Sequence, residues 1–126
     1  MMNTELIEAD LDIEWYTAQA AADFLRVLLI TRQSEEAALR SVDRDLESLT
    51  IWSVVGTWDI SDPESAHQLV PSVIEDRLDM VIIDRPETLA DRVYREEHRR
   101  IARDCIHYLQ EKTGAAVVVA GGLEGR

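Results

Sequence analysis

Met80-Val-Ile-Ile-Asp84 and Ala115-Ala-Val-Val-Val-Ala-Gly-Gly122 are the two stretches whose reading decides the fold. Both are near-continuous apolar runs without alternation of apolar and polar residues. Runs of this kind belong to strands buried on both faces, as in a helix-covered parallel sheet. The chain between them, from Pro86 to Lys112, has helical periodicity, and Gly114 is placed to end that helix. The segment therefore reads strand, crossover helix, strand.

Moving toward the N-terminus, Ser61 and Glu64 form a capping box with Pro63 in the first turn. The helix that follows is expected to bury Ala66, Leu69, Val70, Val73, Ile74 and Leu78. Pro71 is expected to kink or break it. Thr50 to Trp58 is rich in β-branched and aromatic residues and reads as a strand, with Trp52, Val54, Gly56 and Trp58 on one face. Ser34 caps a further helix, with Glu35 and Glu36 in its first turn and Ala38, Val42, Leu46 and Leu49 as its apolar stripe. A first helix starts near Asp12. Phe24 to Ile30 fits either its end or a strand, and the helical reading is preferred. The predicted order is α-α-β-α-β-α-β. This is a small single α/β domain with a mostly parallel three-stranded sheet, crossover helices and an N-terminal helical hairpin. If Phe24–Ile30 is a strand, the sheet has four. Residues 12–120 form the domain. Residues 1–11 are an acidic, loosely ordered N-terminus, and 121–126 a flexible tail.

The 126 residues are 46% hydrophobic, enough for one core. No apolar run is long enough to span a membrane, and an N-terminus that opens with acids does not resemble a secretory leader. The single cysteine, Cys105, excludes an internal disulfide and a thiol zinc cluster. A cytoplasmic location follows as the expectation. Twenty-five acids against 13 bases give a net charge of −12. All the bases but Lys112 are arginine, which suits a high-GC or halophilic host. The charge argues against non-specific binding to nucleic acid or to an anionic membrane. Most of the surplus lies in the first half, led by Glu5, Glu8, Asp10, Asp12 and Glu14.

In a parallel sheet the carboxyl ends of the strands share one edge, where ligands bind. Asp59, Asp84 and Gly121-Gly122 would meet there, with Asp62 and Glu64 nearby. The same residues have plain structural uses, since Asp59 and Asp62 could finish a strand and cap a helix, and Asp84 could cap the next helix. The glycine pair leads into no helix, and there is no Walker or G-x-G-x-x-G pattern. On the long helix, Ala90, Val93, Tyr94, Ile101, Cys105, Tyr108 and Leu109 occupy one arc. Glu97 falls inside that arc and His98 at its edge, a setting that suits proton transfer. Arg92, Arg95, Arg99 and Arg103 line the opposite side, either as an interaction surface or as members of i,i+4 ion pairs. Leu89 and Ile106 are apolar but lie off the core stripe, which makes them candidates for self-association. Cys105 reads as core, and His67 and His107 as surface. No residue is assigned a catalytic role, and no metal ligand or cofactor is expected.

The twelve residues Tyr16–Val27 (YTAQAAADFLRV) resemble the first helix of excisionase-type helix-turn-helix domains, whose pattern is T-x-x-E-A-A-x-x-L-x-V. The resemblance implies a DNA-binding turn and recognition helix next. Ala20 replaces the acidic residue of the pattern, and LLITRQ stands where a Ser- and Arg-rich helix is required.

The leading functional expectation is a non-enzymatic acidic protein-interaction module: an inhibitor, an adaptor or a subunit of a larger assembly, with a viral or mobile-element protein as one concrete version. Its partner would be another protein or a second copy of itself. The alternative is a small metal- or nucleotide-dependent enzyme or ligand-binding domain using the strand-end crevice, with Asp59, Asp84, Glu97 and His98 as site residues. Nucleic-acid binding through the arginine stripe ranks last because of the net charge.

Overall fold

A computed structural model describes residues 12–54, 60, 62–84 and 96–120, with the side chains of 96–98 excepted. In it Val27–Thr31 is not the end of a helix but a strand at the centre of the sheet. The described elements run α1 (Ile13–Ala22), β1 (Val27–Thr31), α2 (Glu35–Leu39), β2 (Leu49–Ser53), α3 (Pro63–Glu75), β3 (Met80–Asp84), α4 (Glu96–Thr113) and β4 (Ala116–Ala120). The class is α/β with a parallel sheet. The sheet has four described strands in the order β2-β1-β3-β4, and the N-terminal helices are separated by β1 instead of forming a hairpin.

The sequence hides β1 because α1 ends without a glycine. Phe24 takes the left-handed conformation (φ 57°) at the position after the helix cap. Its N–H donates to Ala21 O, and the Leu25 N–H donates to Ala20 O at 2.9 Å, the bond pair of a Schellman stop. α3 ends the same way on Arg77 (φ 53°). A left-handed non-glycine residue is uncommon, so neither stop is visible in the sequence. The excisionase-like run is thereby split between a helix and a buried strand, with no second helix of a helix-turn-helix.

Successive residues of each strand face opposite layers. Leu28, Ile30, Val81, Ile83, Val117 and Val119 pack under α3 and α4, whose sheet-facing side chains include Leu69, Val73, Ile106 and Leu109. Val27, Leu29, Met80, Ile82 and Val118 pack under α1 and α2 with Ile13, Tyr16, Ala20 and Ala38. Right-handed crossovers require this division, because the chain moves one way from β1 to β2 and the other way from β2 through β3 to β4. Full burial of each such side chain contributes roughly 1.5–3 kcal/mol. Burial also raises the pKa of the Tyr16 phenol on α1 above its usual value, through loss of solvation.

Several local readings are corrected. The helix after Ser34 stops at Leu39. Asp43 then forms a turn through its own side chain, accepting from Asp45 N–H at 3.0 Å, and its N–H donates to Thr17 Oγ1 at 2.8 Å. Val42 and Leu46 still pack on the core from irregular backbone. The N-cap of α3 is Asp62, which accepts from Glu64 N–H and Ser65 Oγ. Pro71 lies on the exposed side of α3 and the helix runs on to Glu75, while Ile74 is exposed instead of buried. Ile106 is fully buried at the centre of the α4 stripe Ala102, Cys105, Ile106, Leu109, so it offers no surface for self-association. Ile101 and Tyr108 turn toward α3 instead, which rotated the apolar arc inferred from the sequence.

Candidate functional site

β1 and β3 lie side by side at the centre of the sheet, but the chain leaves them toward opposite faces, into α2 and α4 respectively. Residues 85–95, which follow β3, lie outside the described residues, so the edge is defined by the ends of β1, β2 and β3. In doubly wound sheets this switch point is the usual ligand position.

A hydrogen-bonded set of side chains stands at these strand ends. Thr31, the last residue of β1, is almost wholly buried, and its Oγ1 donates to Asp84 Oδ2 at 2.7 Å. Gln33 Nε2 donates to the same oxygen at 2.8 Å, while the Gln33 N–H donates to Thr31 Oγ1 at 3.0 Å. Ser53, the last residue of β2, donates from Oγ to Gln33 O at 2.6 Å. The Val54 N–H closes the β2 side on Thr31 O at 2.8 Å. The ends of three strands are thus tied around one half-buried carboxylate, and both side-chain donors arrive at Oδ2. Bonds to an ionised acceptor are the stronger kind, so the geometry of Asp84 is well defined.

The surroundings limit what this edge can hold. The β1–α2 turn, Arg32-Gln33-Ser34, contains neither glycine nor lysine. Ser34 Oγ takes the Ala37 N–H at 3.1 Å, and Glu35 and Glu36 fill the first turn of α2. A P-loop instead needs open backbone N–H groups and a lysine for the phosphates. Asp84 favours hydroxyl or amine donors over phosphate. Among the described residues no three His, Cys, Asp or Glu side chains are placed to share a metal ion.

Of the residues expected at this edge, Asp84 is there. Asp62 and Glu64 belong to the start of α3, where Asp62 acts as a cap. Asp59, Gly121 and Gly122 lie outside the described residues, as do Leu89, Arg92 and Arg95 and the side chains of Glu97 and His98. Arg99 and Arg103 are half-buried on a flank of α4. Thr31, Gln33 and Ser53 were missed. Their signal was the polar turn directly after Val-Leu-Leu-Ile, which becomes a strand end once that run is read as a strand.

Comparison with protein-family models, with curated proteins and with solved structures finds no match to this chain. No helix among the described residues is long and apolar enough to cross a membrane.

Proposed function

We propose that the chain is a ligand-binding domain for a small unphosphorylated molecule carrying hydroxyl or amine groups, held in the crevice outside β1 and β3. The observation behind this reading is the convergence of Thr31, Gln33 and Asp84 at the sheet's switch point. Asp84 and Gln33 contact the ligand, and Thr31 and Ser53 hold them in place. Among the described residues both side-chain donors to Asp84 use Oδ2, which leaves Oδ1 as the acceptor for the ligand. An enzymatic version adds Asp59 as a second carboxylate and Glu97 or His98 as the proton carrier. It predicts that Glu97→Gln removes turnover while leaving binding intact.

The test is a thermal-shift screen of sugars, nucleosides, amino acids and polyamines. A ligand present at about 100 times its Kd stabilises the folded state by about 2.7 kcal/mol. The shift should vanish in Asp84→Asn. A ligand that still binds that variant removes Asp84 from the site.

A second reading, the acidic protein-interaction module, has one observation of its own. Trp52 is 40% exposed on β2, an edge strand of the sheet, in a chain of net charge −12. An exposed aromatic on a strand edge suits a partner that adds a strand. Trp52→Ala should then abolish capture of that partner without changing the fold. For self-assembly, Leu89→Asp is the test, read as mass by light scattering. An unchanged mass ends that version.

A further inference from the structure

α3 and α4 cover the same face of the sheet, and a groove of about 630 Å³ opens between them on the side away from the sheet. We infer that this groove is a second binding site, independent of the strand-end crevice, for a small organic cation with an apolar body. Its volume lies in the range of small-molecule sites. Its wall is apolar: Pro63 and Ala66 from α3 face Ile101 and Cys105 from α4. Among the described residues the formally charged ones that line it are both acids, Glu64 and Asp104, one from each helix.

Tyr108 closes one end of the groove. Its hydroxyl is held by His67 Nδ1 across the gap at 3.0 Å, which fixes the ring. The Lys112 ammonium sits 6.0 Å from that ring's centroid, a cation–π contact within α4 itself. A flat or branched apolar cation would lay its body on Ile101 and Cys105 and turn its charge toward Glu64 and Asp104. The large negative net charge raises the local concentration of such cations. An anion of the same shape would meet two carboxylates, and the one basic side chain among the described lining residues, His67, is engaged by the Tyr108 hydroxyl.

Cys105 supplies the readout. The residue is 6% exposed and forms part of the wall, so an occupant slows its alkylation by iodoacetamide. The probe is benzyltrimethylammonium, with phenylacetate as the anionic control, on the full chain at low salt. At about ten times its dissociation constant the cation should slow alkylation about tenfold, saturably, and phenylacetate should not. Amide NMR shifts should fall on α3 and α4. The double substitution Glu64→Gln, Asp104→Asn should abolish protection while the folded spectrum persists, and Asp84→Asn should leave protection intact. The proposal is overturned by any of three results: no saturable protection, equal protection by phenylacetate, or protection that survives the double substitution.

Discussion

Asp79 and Asp84 bracket the same pair of strands from opposite ends, and they hold it by different means. At the amino end Asp79 Oδ2 accepts from the backbone N–H of Arg26 at 2.8 Å. Around it Asp79 N–H and Met80 N–H both donate to Arg26 O, and Ala116 N–H donates to Asp79 O. At the carboxyl end Asp84 accepts from the side chains of Thr31 and Gln33. Main-chain partners cannot leave without breaking the sheet. Side-chain partners can rotate, and a ligand can replace one of them. Asp79, just before β3, and Asp84, its last residue, are therefore held in different ways: one by backbone partners, the other by side chains.

The most severe way to break the comparison is to damage β3, the strand that runs between the two residues. Ile82, fully buried midway along β3, should cost about 2–5 kcal/mol when replaced by alanine. Urea unfolding should show the loss, and both ends should fail together. Next comes Asp84→Asn, which keeps the shape of the side chain but removes its charge. It should weaken ligand binding at least about tenfold, or about 1.4 kcal/mol, measured by calorimetry, while shifting the unfolding midpoint little. Asp79→Ala should do the reverse, costing about 0.5–1 kcal/mol of stability by urea titration and leaving binding unchanged. If Asp79→Ala also abolishes binding, the division between the two ends is wrong.

The smallest expected effect concerns pH. Burial raises the Tyr16 pKa, so the folded state prefers the neutral phenol. The unfolded chain loses that proton first, near pH 10. Stability from this group is therefore intact below pH 10 and lost as pH rises through the folded-state pKa. The melting temperature should fall across that range, and Tyr16→Phe should flatten the fall.

The two ends also differ in how readable they were. β3 and β4 were legible because Met80–Asp84 and Ala116–Ala120 are continuous apolar runs that only a doubly covered strand explains. Asp84 was legible with them, as the polar residue that ends β3. β1 was not, because an alanine-rich helix runs toward it and stops on Phe24, where glycine is the usual signal. Misplacing β1 concealed its carboxyl end, and with it Thr31 and Gln33. Position along the chain gave no help either: Thr31 and Asp84 are 53 residues apart and meet only through the parallel pairing of β1 with β3. The second helix was overextended because Val42 and Leu46 continue an apolar spacing that the Asp43 turn interrupts.

The most direct test of ligand binding at the exchangeable end is an amide NMR titration with unphosphorylated sugars, nucleosides, amino acids and amines. A saturable ligand should shift Gln33, Ser53 and Asp84 and leave Arg26 and Asp79 in place, and the shifts should disappear in Asp84→Asn. The contradicting result is either no saturable shift from any of these classes at millimolar concentration, or shifts that spare Gln33 and Asp84.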